Sequence, residues 1–153
     1  NIDLCGVYNR YHANMARSLI MGEPSKEVKK RGEKITGAKE VVSKLLRPGL
    51  PVQDLLNEIK YYYQSEAIWD NQCWIGGYDL GATFPPDWVG TWYYDVHSDP
   101  GTDLFDPGLA CNYEANFYLP EGLGMSMFID TFTVEEDTAS FLQKTPAKLF
   151  IID

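Results

Sequence analysis

The sequence is poor in several features that mark large protein classes. It has three cysteines and two histidines among 153 residues, and it has no run of about 18 apolar residues that could span a membrane. Three widely spaced cysteines indicate neither a disulfide framework nor a zinc knuckle. We therefore expect Cys5, Cys73 and Cys111 to be small buried apolar residues. With no apolar run and no recognisable signal peptide, we predict a soluble, cytoplasmic protein without membrane contact.

Positive charge is also scarce. Lys and Arg total 13 against 22 Asp and Glu, so the formal net charge is −9. The single basic run, at 29–31, is typical of a solvated helix face. Because nucleic-acid binding needs clustered cations that neutralise phosphates, we expect no nucleic-acid partner. The sequence also lacks the HExxH, CxxC, GxSxG and GxxxxGK motifs, so no common catalytic or phosphate-binding motif identifies its chemistry.

Helical patterns come early in the chain, and strand patterns come late. A hairpin of two strands, turning at Asn9-Arg10, precedes a helix from about Ser25 to Leu46 and a second helix after Pro51. Strands are then predicted at 74–82, 109–119, 125–134 and 149–152, with a long loop over 90–108 and a short helical or turn segment at 139–142. Hairpins without βαβ alternation predict an α+β domain with a mostly antiparallel or mixed sheet.

One strand carries polar side chains on a single face. Between residues 110 and 118, the alternation puts Asn112, Glu114 and Asn116 on the same side. That side is either an outer face in water or a polar cavity. In a cavity the carboxylate could act as a general base, a nucleophile or a clamp on a cation. Asp3 lies mid-strand, where Asp is disfavoured, and the same two interpretations apply to it.

Five stretches of the sequence resemble, in order, the C-terminal catalytic domain of the pita-bread family, which includes methionine aminopeptidase, prolidase, creatinase and ectoine hydrolase. They are NIDLCGVYNRYHANMARS, GEPSKE with LLRPGLPVQDL, GGYDLG, LFDPGLACNYE and FIDTFTVEEDTASFL. The resemblance implies a partial pita-bread fold, with a curved, mostly antiparallel sheet backed by helices. It also implies that residues 1–153 are the C-terminal part of such a domain, without its N-terminal domain and without its own first segment.

The family resemblance also implies where a metal site would lie. In the family two aspartates, a histidine and two glutamates hold two metal ions, and these positions fall on Asp3, Asn14, Tyr78, Glu114 and Ile129. Only the first and fourth keep a carboxylate. A phenol with a pKa of about 10 replaces the imidazole poorly, and isoleucine offers no lone pair. The resemblance therefore implies no stable two-metal centre and no cofactor.

From this resemblance we predict a metal-independent hydrolase of a C–N bond in a small nitrogenous solute, similar to creatinase and ectoine hydrolase. Glu114 is the acid/base or the cation clamp. Tyr78, on a kink that its flanking glycines are expected to shape, orients the substrate or donates to an oxyanion, or else fills the space of the lost histidine. Asp3 and Asn14 hold the substrate's nitrogens. The aromatic walls of the cavity are predicted to be Trp88 and Trp92.

Two other functions remain open. Asp3 and Glu114 could serve a metal-dependent Xaa-Pro aminopeptidase or dipeptidase, or the chain could be a non-catalytic pseudoenzyme of the same fold. Because relatives of this fold commonly dimerise, we also expect a homodimer, with the aromatic stretch 88–94 as one candidate contact. The remaining expected partners are a small-molecule substrate and the rest of the same polypeptide.

Overall fold

The computed structural model describes residues 1–82 and 89–153. Its strands are β1 (Ile2–Tyr8), β2 (Tyr11–Arg17), β3 (Leu19–Met21), β4 (Leu50–Pro51), β5 (Gln72–Leu80), β6 (Tyr93–Asp95), β7 (Leu104–Phe105), β8 (Ala110–Tyr118), β9 (Met125–Val134), β10 (Ala139–Phe141) and β11 (Phe150–Ile152). Its α-helices are α1 (Lys26–Leu45) and α2 (Val52–Ser65). Neither helix in these ranges is long and apolar enough to cross a membrane.

The main sheet has the strand order β1-β2-β9-β8-β5-β6, and β10 adds to β9. Every pair in this sheet is antiparallel. Two small sheets accompany it, a parallel pair of β3 with β11 and an antiparallel pair of β4 with β7. The predicted α+β class with a mostly antiparallel sheet is confirmed.

The two helices form where the sequence signals place them. The side chain of Ser25 accepts a hydrogen bond from the amide of Val28 and caps the start of α1. One apolar stripe along each helix is buried. The buried members are Val28, Ile35, Ala38 and Val42 in α1 and Val52, Leu55, Leu56, Ile59 and Tyr63 in α2.

The core lies between these helices and one face of the sheet. Alternate residues of β8 enter it, namely Cys111, Tyr113, Ala115 and Phe117, and all are fully buried. The Tyr63 hydroxyl lies 2.9 Å from that of Tyr113 and donates to the carbonyl of Ile35, so it joins α2, β8 and α1. Since side chains alternate along a strand, Asn112, Glu114 and Asn116 face away from the helices.

A buried carboxylate connects the sheet to α1 and to the C-terminal segment. Asp130 of β9 is fully buried and accepts from Arg17 at 2.7 Å and from Lys39 at 2.5 Å. The Arg17 guanidinium also donates to the carbonyls of Thr145 and Pro146, each at 3.0 Å. One carboxylate thus joins β2, β9, α1 and the residues after β10.

Some local predictions are wrong, and aromatic packing explains most of them. The predicted loop at 90–108 contains β6 and β7, because Tyr94 and Phe105 bury their rings against each other with centroids 5.3 Å apart. The segment at 139–142 is strand β10 rather than a helix or turn, because Phe141 packs on Phe132. Cys73 is exposed and Cys5 is half-buried, so only Cys111 is the buried residue that we predicted.

Replacing the buried carboxylate should strongly destabilise the fold. We expect Asp130→Ala in the complete protein to lower the free energy of unfolding by about 3–5 kcal/mol, because it leaves the buried Arg17 and the half-buried Lys39 without their anion. Chemical denaturation measures the change. The exposed Asp137→Ala is the matched control, with an expected change within about 0.5 kcal/mol. Equal effects of the two variants would show that the cluster contributes nothing specific.

Candidate functional site

The sheet face opposite the helices carries the residues that the sequence singled out. Strand pairing aligns five residues in one row across five strands. They are Asp3, Ala16, Ile129, Glu114 and Gly76. The neighbouring row contains Cys5, Asn14, Thr131, Asn112 and Tyr78. Asp3, Asn14, Tyr78, Glu114 and Ile129 therefore lie in two adjacent rows, although they are far apart in the sequence.

Glu114 is a buried carboxyl on this face. Its side chain is 8% exposed, and one oxygen accepts a hydrogen bond of 2.6 Å from the amide of Asn116. Burial raises the pKa of Glu114, the Asn116 hydrogen bond opposes that rise, and the charge of Asp3 adds to it. Asp3 lies at the exposed rim, where partial desolvation raises its pKa. A carboxyl with a raised pKa can hold and release a proton nearer to neutral pH.

The burial of this face decides between the two interpretations of β8. Asn112 is fully buried, and Glu114 and Asn116 are each more than nine-tenths buried. The polar face of β8 is therefore not an outer face in water. The solvent-facing interpretation holds only for Asp3, which is exposed.

A hydrogen-bond network joins Tyr78 to three strands. The Asn14 side-chain amide donates to the Tyr78 hydroxyl at 2.8 Å. The Asn14 backbone amide donates to the Thr131 hydroxyl at 3.0 Å, and that hydroxyl donates to the Asn14 carbonyl at 2.9 Å. The Tyr78 backbone amide donates to the side-chain oxygen of Asn112 at 2.7 Å. These bonds fix the phenol and both amides within the site.

The glycines before Tyr78 have a different role from the predicted one. Gly76 and Gly77 lie inside the continuous strand β5, and neither has a positive φ. A Cβ at Gly77 would lie 1.9 Å from the backbone oxygen of Asn112 and 2.6 Å from the Tyr94 ring. The expected kink is therefore wrong. Glycine is required here because β8 and an aromatic ring approach the backbone closely.

The structure does not bring Trp92 to this site. Its ring packs beside Tyr94 and Phe105, and its indole N–H donates to Asp103 at 2.8 Å. Since Tyr94 is a core residue, Trp92 lies on the helix-facing side of the sheet, and its assignment as a cavity wall is corrected. Trp88, the other predicted wall, lies outside the described residues.

Several residues of the site were given no role in the sequence prediction. They are His12, Asn112, Asn116 and Thr131. His12 is 6% exposed on the same face of β2 as Asn14, and its Nδ1 lies 3.0 Å from the carbonyl of Gly81. The alternation of β8 already placed Asn112 and Asn116 on this face, and the same alternation in β2 and β9 is the signal that could have identified His12 and Thr131.

The residues at the site do not fit a pair of metal ions. Within residues 1–82 and 89–153, no cluster of three or more His, Cys, Asp or Glu side chains could hold a metal. Asn14 and Tyr78 bond to each other, and Ile129, which is 1% exposed, presents a hydrocarbon surface beside Glu114. Hard divalent ions need several anionic or imidazole donors, and of the five family ligand positions, all among the described residues, two offer one, namely Asp3 and Glu114.

The chain is similar to several known proteins. Residues 1–136 match the model of "Metallopeptidase family M24". An ectoine hydrolase from Halomonas elongata is 24% identical over 154 residues, covering 97% of this chain and 36% of that protein. An Xaa-Pro dipeptidase from Pyrococcus furiosus is 23% identical over 153 residues, covering 97% of this chain and 40% of that protein. The crystal structure of a dipeptidase from Pyrococcus horikoshii matches with a TM-score of 0.83 at 22% identity. The match covers 98% of this chain and 40% of that chain.

These likenesses confirm the predicted pita-bread fold, which the described chain represents in part. The chain spans about two fifths of the length of these relatives.

Neutralising Glu114 should stabilise the protein at neutral pH. The folded state raises the pKa of Glu114 above its ordinary value of 4.5, so the folded state loses stability as pH rises through that pKa. We expect Glu114→Gln to unfold at higher denaturant concentration than wild type at pH 7, with the difference shrinking as the pH falls towards 4. Equilibrium denaturation of the complete protein at several pH values measures it.

The matched control for this variant is Glu58→Gln, which removes the same charge from an exposed position of α2. It should leave the pH dependence unchanged. If Glu114→Gln were destabilising at every pH, the Asn116 hydrogen bond would outweigh the burial of the charge.

Proposed function

The chain belongs to metallopeptidase family M24, and from the side chains at its site we propose that the complete protein hydrolyses a C–N bond in a small nitrogenous solute without a metal ion. The observation that carries the proposal is Glu114, a buried carboxyl with a raised pKa among neutral amides and a phenol. Such a group performs acid–base chemistry by itself, without a metal-bound water.

Glu114 would act as both base and acid. As a carboxylate it takes a proton from a water molecule that adds to the carbon of an amidine, guanidino or amide group. The C–N bond then breaks, and the leaving nitrogen receives that proton from Glu114. Tyr78, whose oxygen already accepts from Asn14, donates its hydroxyl proton as a hydrogen bond to the charge that develops on the attacked group.

The charge of the site favours a cationic substrate. Asp3 and Glu114 are both acidic, and the charge of Asp3 contributes to the raised pKa of Glu114. An amidinium or guanidinium about 4 Å from one carboxylate gains about 4 kcal/mol of attraction at an effective dielectric constant near 20. Asn14 would hold a substrate nitrogen through its side-chain oxygen. The likeness to an ectoine hydrolase supports a small solute as substrate.

A metal-dependent Xaa-Pro peptidase is the second candidate. The likeness to an Xaa-Pro dipeptidase and the two remaining carboxylates support it. A pseudoenzyme of the same fold is the third. We further propose that the complete protein acts in the cytoplasm as a homodimer, and size-exclusion chromatography with light scattering measures that state.

The test of metal independence uses the complete protein after exhaustive chelation with EDTA. We expect it to hydrolyse ectoine or another amidine, guanidino or amide solute, with product followed by mass spectrometry. Glu114→Gln should lower kcat by about 10²–10⁴-fold, the contribution typical of one acid–base group, and Glu58→Gln should leave it unchanged.

Two outcomes contradict the proposal. Activity on an Xaa-Pro dipeptide that appears only after manganese or cobalt is added would establish the peptidase instead. If the folded protein hydrolyses none of these substrates, with or without metal, the pseudoenzyme is the remaining candidate function.

A further inference from the structure

Two buried amides flank Glu114 on β8, and each has one polar atom without a hydrogen-bond partner in the described structure. The atoms are Nδ2 of Asn112 and Oδ1 of Asn116. Asn112 is fully buried, and Asn116 is 7% exposed. Proteins rarely keep buried polar groups unsatisfied, because desolvation without a replacement bond is unfavourable. Two such atoms on either side of one carboxyl would be satisfied by the polar groups of a bound ligand.

The orientation of each amide is fixed by its other atom. The backbone N–H of Tyr78 can only donate, so the atom of Asn112 that it contacts at 2.7 Å is the oxygen. The nitrogen of Asn112 is then the unsatisfied atom. Asn116 donates its nitrogen to Glu114 at 2.6 Å, so its oxygen is left over while Glu114 is ionised. Along one face, β8 thus offers a donor, a carboxylate and a second acceptor.

We propose that Asn112 and Asn116 determine the substrate specificity of this site. Asn112 donates to an oxygen acceptor on the substrate. Asn116 accepts from an N–H of the same nitrogen group that Glu114 contacts. The inference rests on the proposed function and narrows it to solutes with N–H donors at one end and a carboxylate or carbonyl oxygen at the other.

The geometry of the strand sets the length of that substrate. Asn112 and Glu114 are two residues apart on one face, which corresponds to about 7 Å along a strand. Asn116 is drawn towards Glu114 by their hydrogen bond, so the two acceptors lie together. A planar guanidinium or amidinium offers two N–H groups to such a pair. A spacer of two or three carbons then places an oxygen at Asn112.

Burial makes the site discriminate between solutes that carry both polar groups and solutes that lack one of them. Both unsatisfied atoms are shielded from solvent, so bulk water does not pair with them. A solute lacking the oxygen acceptor leaves the Asn112 donor unpaired in a water-poor site. Sites built to bond a polar group reject analogues without it far more strongly than apolar pockets reject a missing methylene.

The experiment compares two probes of equal length by calorimetric titration of the complete protein. The probes are 3-guanidinopropionate, which carries both groups, and propylguanidine, which lacks the carboxylate. We expect wild type to bind 3-guanidinopropionate at least 10-fold more tightly. Asn112→Asp keeps the oxygen that accepts from the Tyr78 amide and replaces the unsatisfied N–H donor with a second oxygen. We expect it to weaken the binding of 3-guanidinopropionate about 10–100-fold. The binding of propylguanidine should become no weaker.

The control is Asn57→Asp, which makes the same substitution on the exposed face of α2 and retains the acceptor for Gln53. It should change neither affinity. The readout for Asn116 is the pH profile of kcat/KM. Asn116→Asp sets a second carboxylate beside Glu114 and should move the acidic limb of the profile to higher pH.

The inference is overturned if wild type binds the two probes equally tightly. It is also overturned if Asn112→Asp weakens the binding of both probes by the same factor. The first comparison needs no variant, so misfolding of a mutant cannot obscure it. Binding is measured without turnover. If the protein shows the probe preference but hydrolyses none of the substrates, the specificity inference stands and the proposed hydrolase function is contradicted.

Discussion

One buried carboxylate determines which side chains reach the site. Asp130 faces the helices and accepts from Arg17 and Lys39. Because neighbouring residues of a strand point to opposite faces, Ile129 and Thr131 must then face the site. A slip of one residue in β9 would exchange the two sets and place a charge among the site amides. The ion cluster of Asp130, Arg17 and Lys39 thus determines the register of β9, and this register places Ile129 and Thr131 at the site.

The site itself combines a buried acid with neutral neighbours. Ile129 gives Glu114 a hydrocarbon neighbour and Asn116 gives it a hydrogen bond, and the balance raises its pKa. Where the family resemblance implies metal ligands, Asn14 and Tyr78 bond to each other instead. Buried groups of this kind oppose stability, and proteins retain them mostly where function requires them. The same reasoning applies to the unsatisfied amides of β8.

The sequence predicted the elements whose patterns are regular and local. The helical patterns were sufficient to predict α1 and α2, and the alternation of β8 was sufficient to put Asn112, Glu114 and Asn116 on one face. It failed where contacts distant in sequence decide the structure. Tyr94 and Phe105 turn a predicted loop into paired strands, and they carry Trp92 to the core side. The closeness of β8 to Gly77 was likewise invisible without the fold. Family resemblance, rather than pattern, brought Asp3, Asn14 and Tyr78 together.

The bonds from Arg17 to the carbonyls of Thr145 and Pro146 affect how the molecule opens. Segments outside the main sheets and helices usually open at a small cost in free energy. Here, peeling away the segment after β10 would strip two acceptors from a buried guanidinium. The opening of those residues is therefore coupled to that of the central sheet through the carbonyls that Arg17 holds.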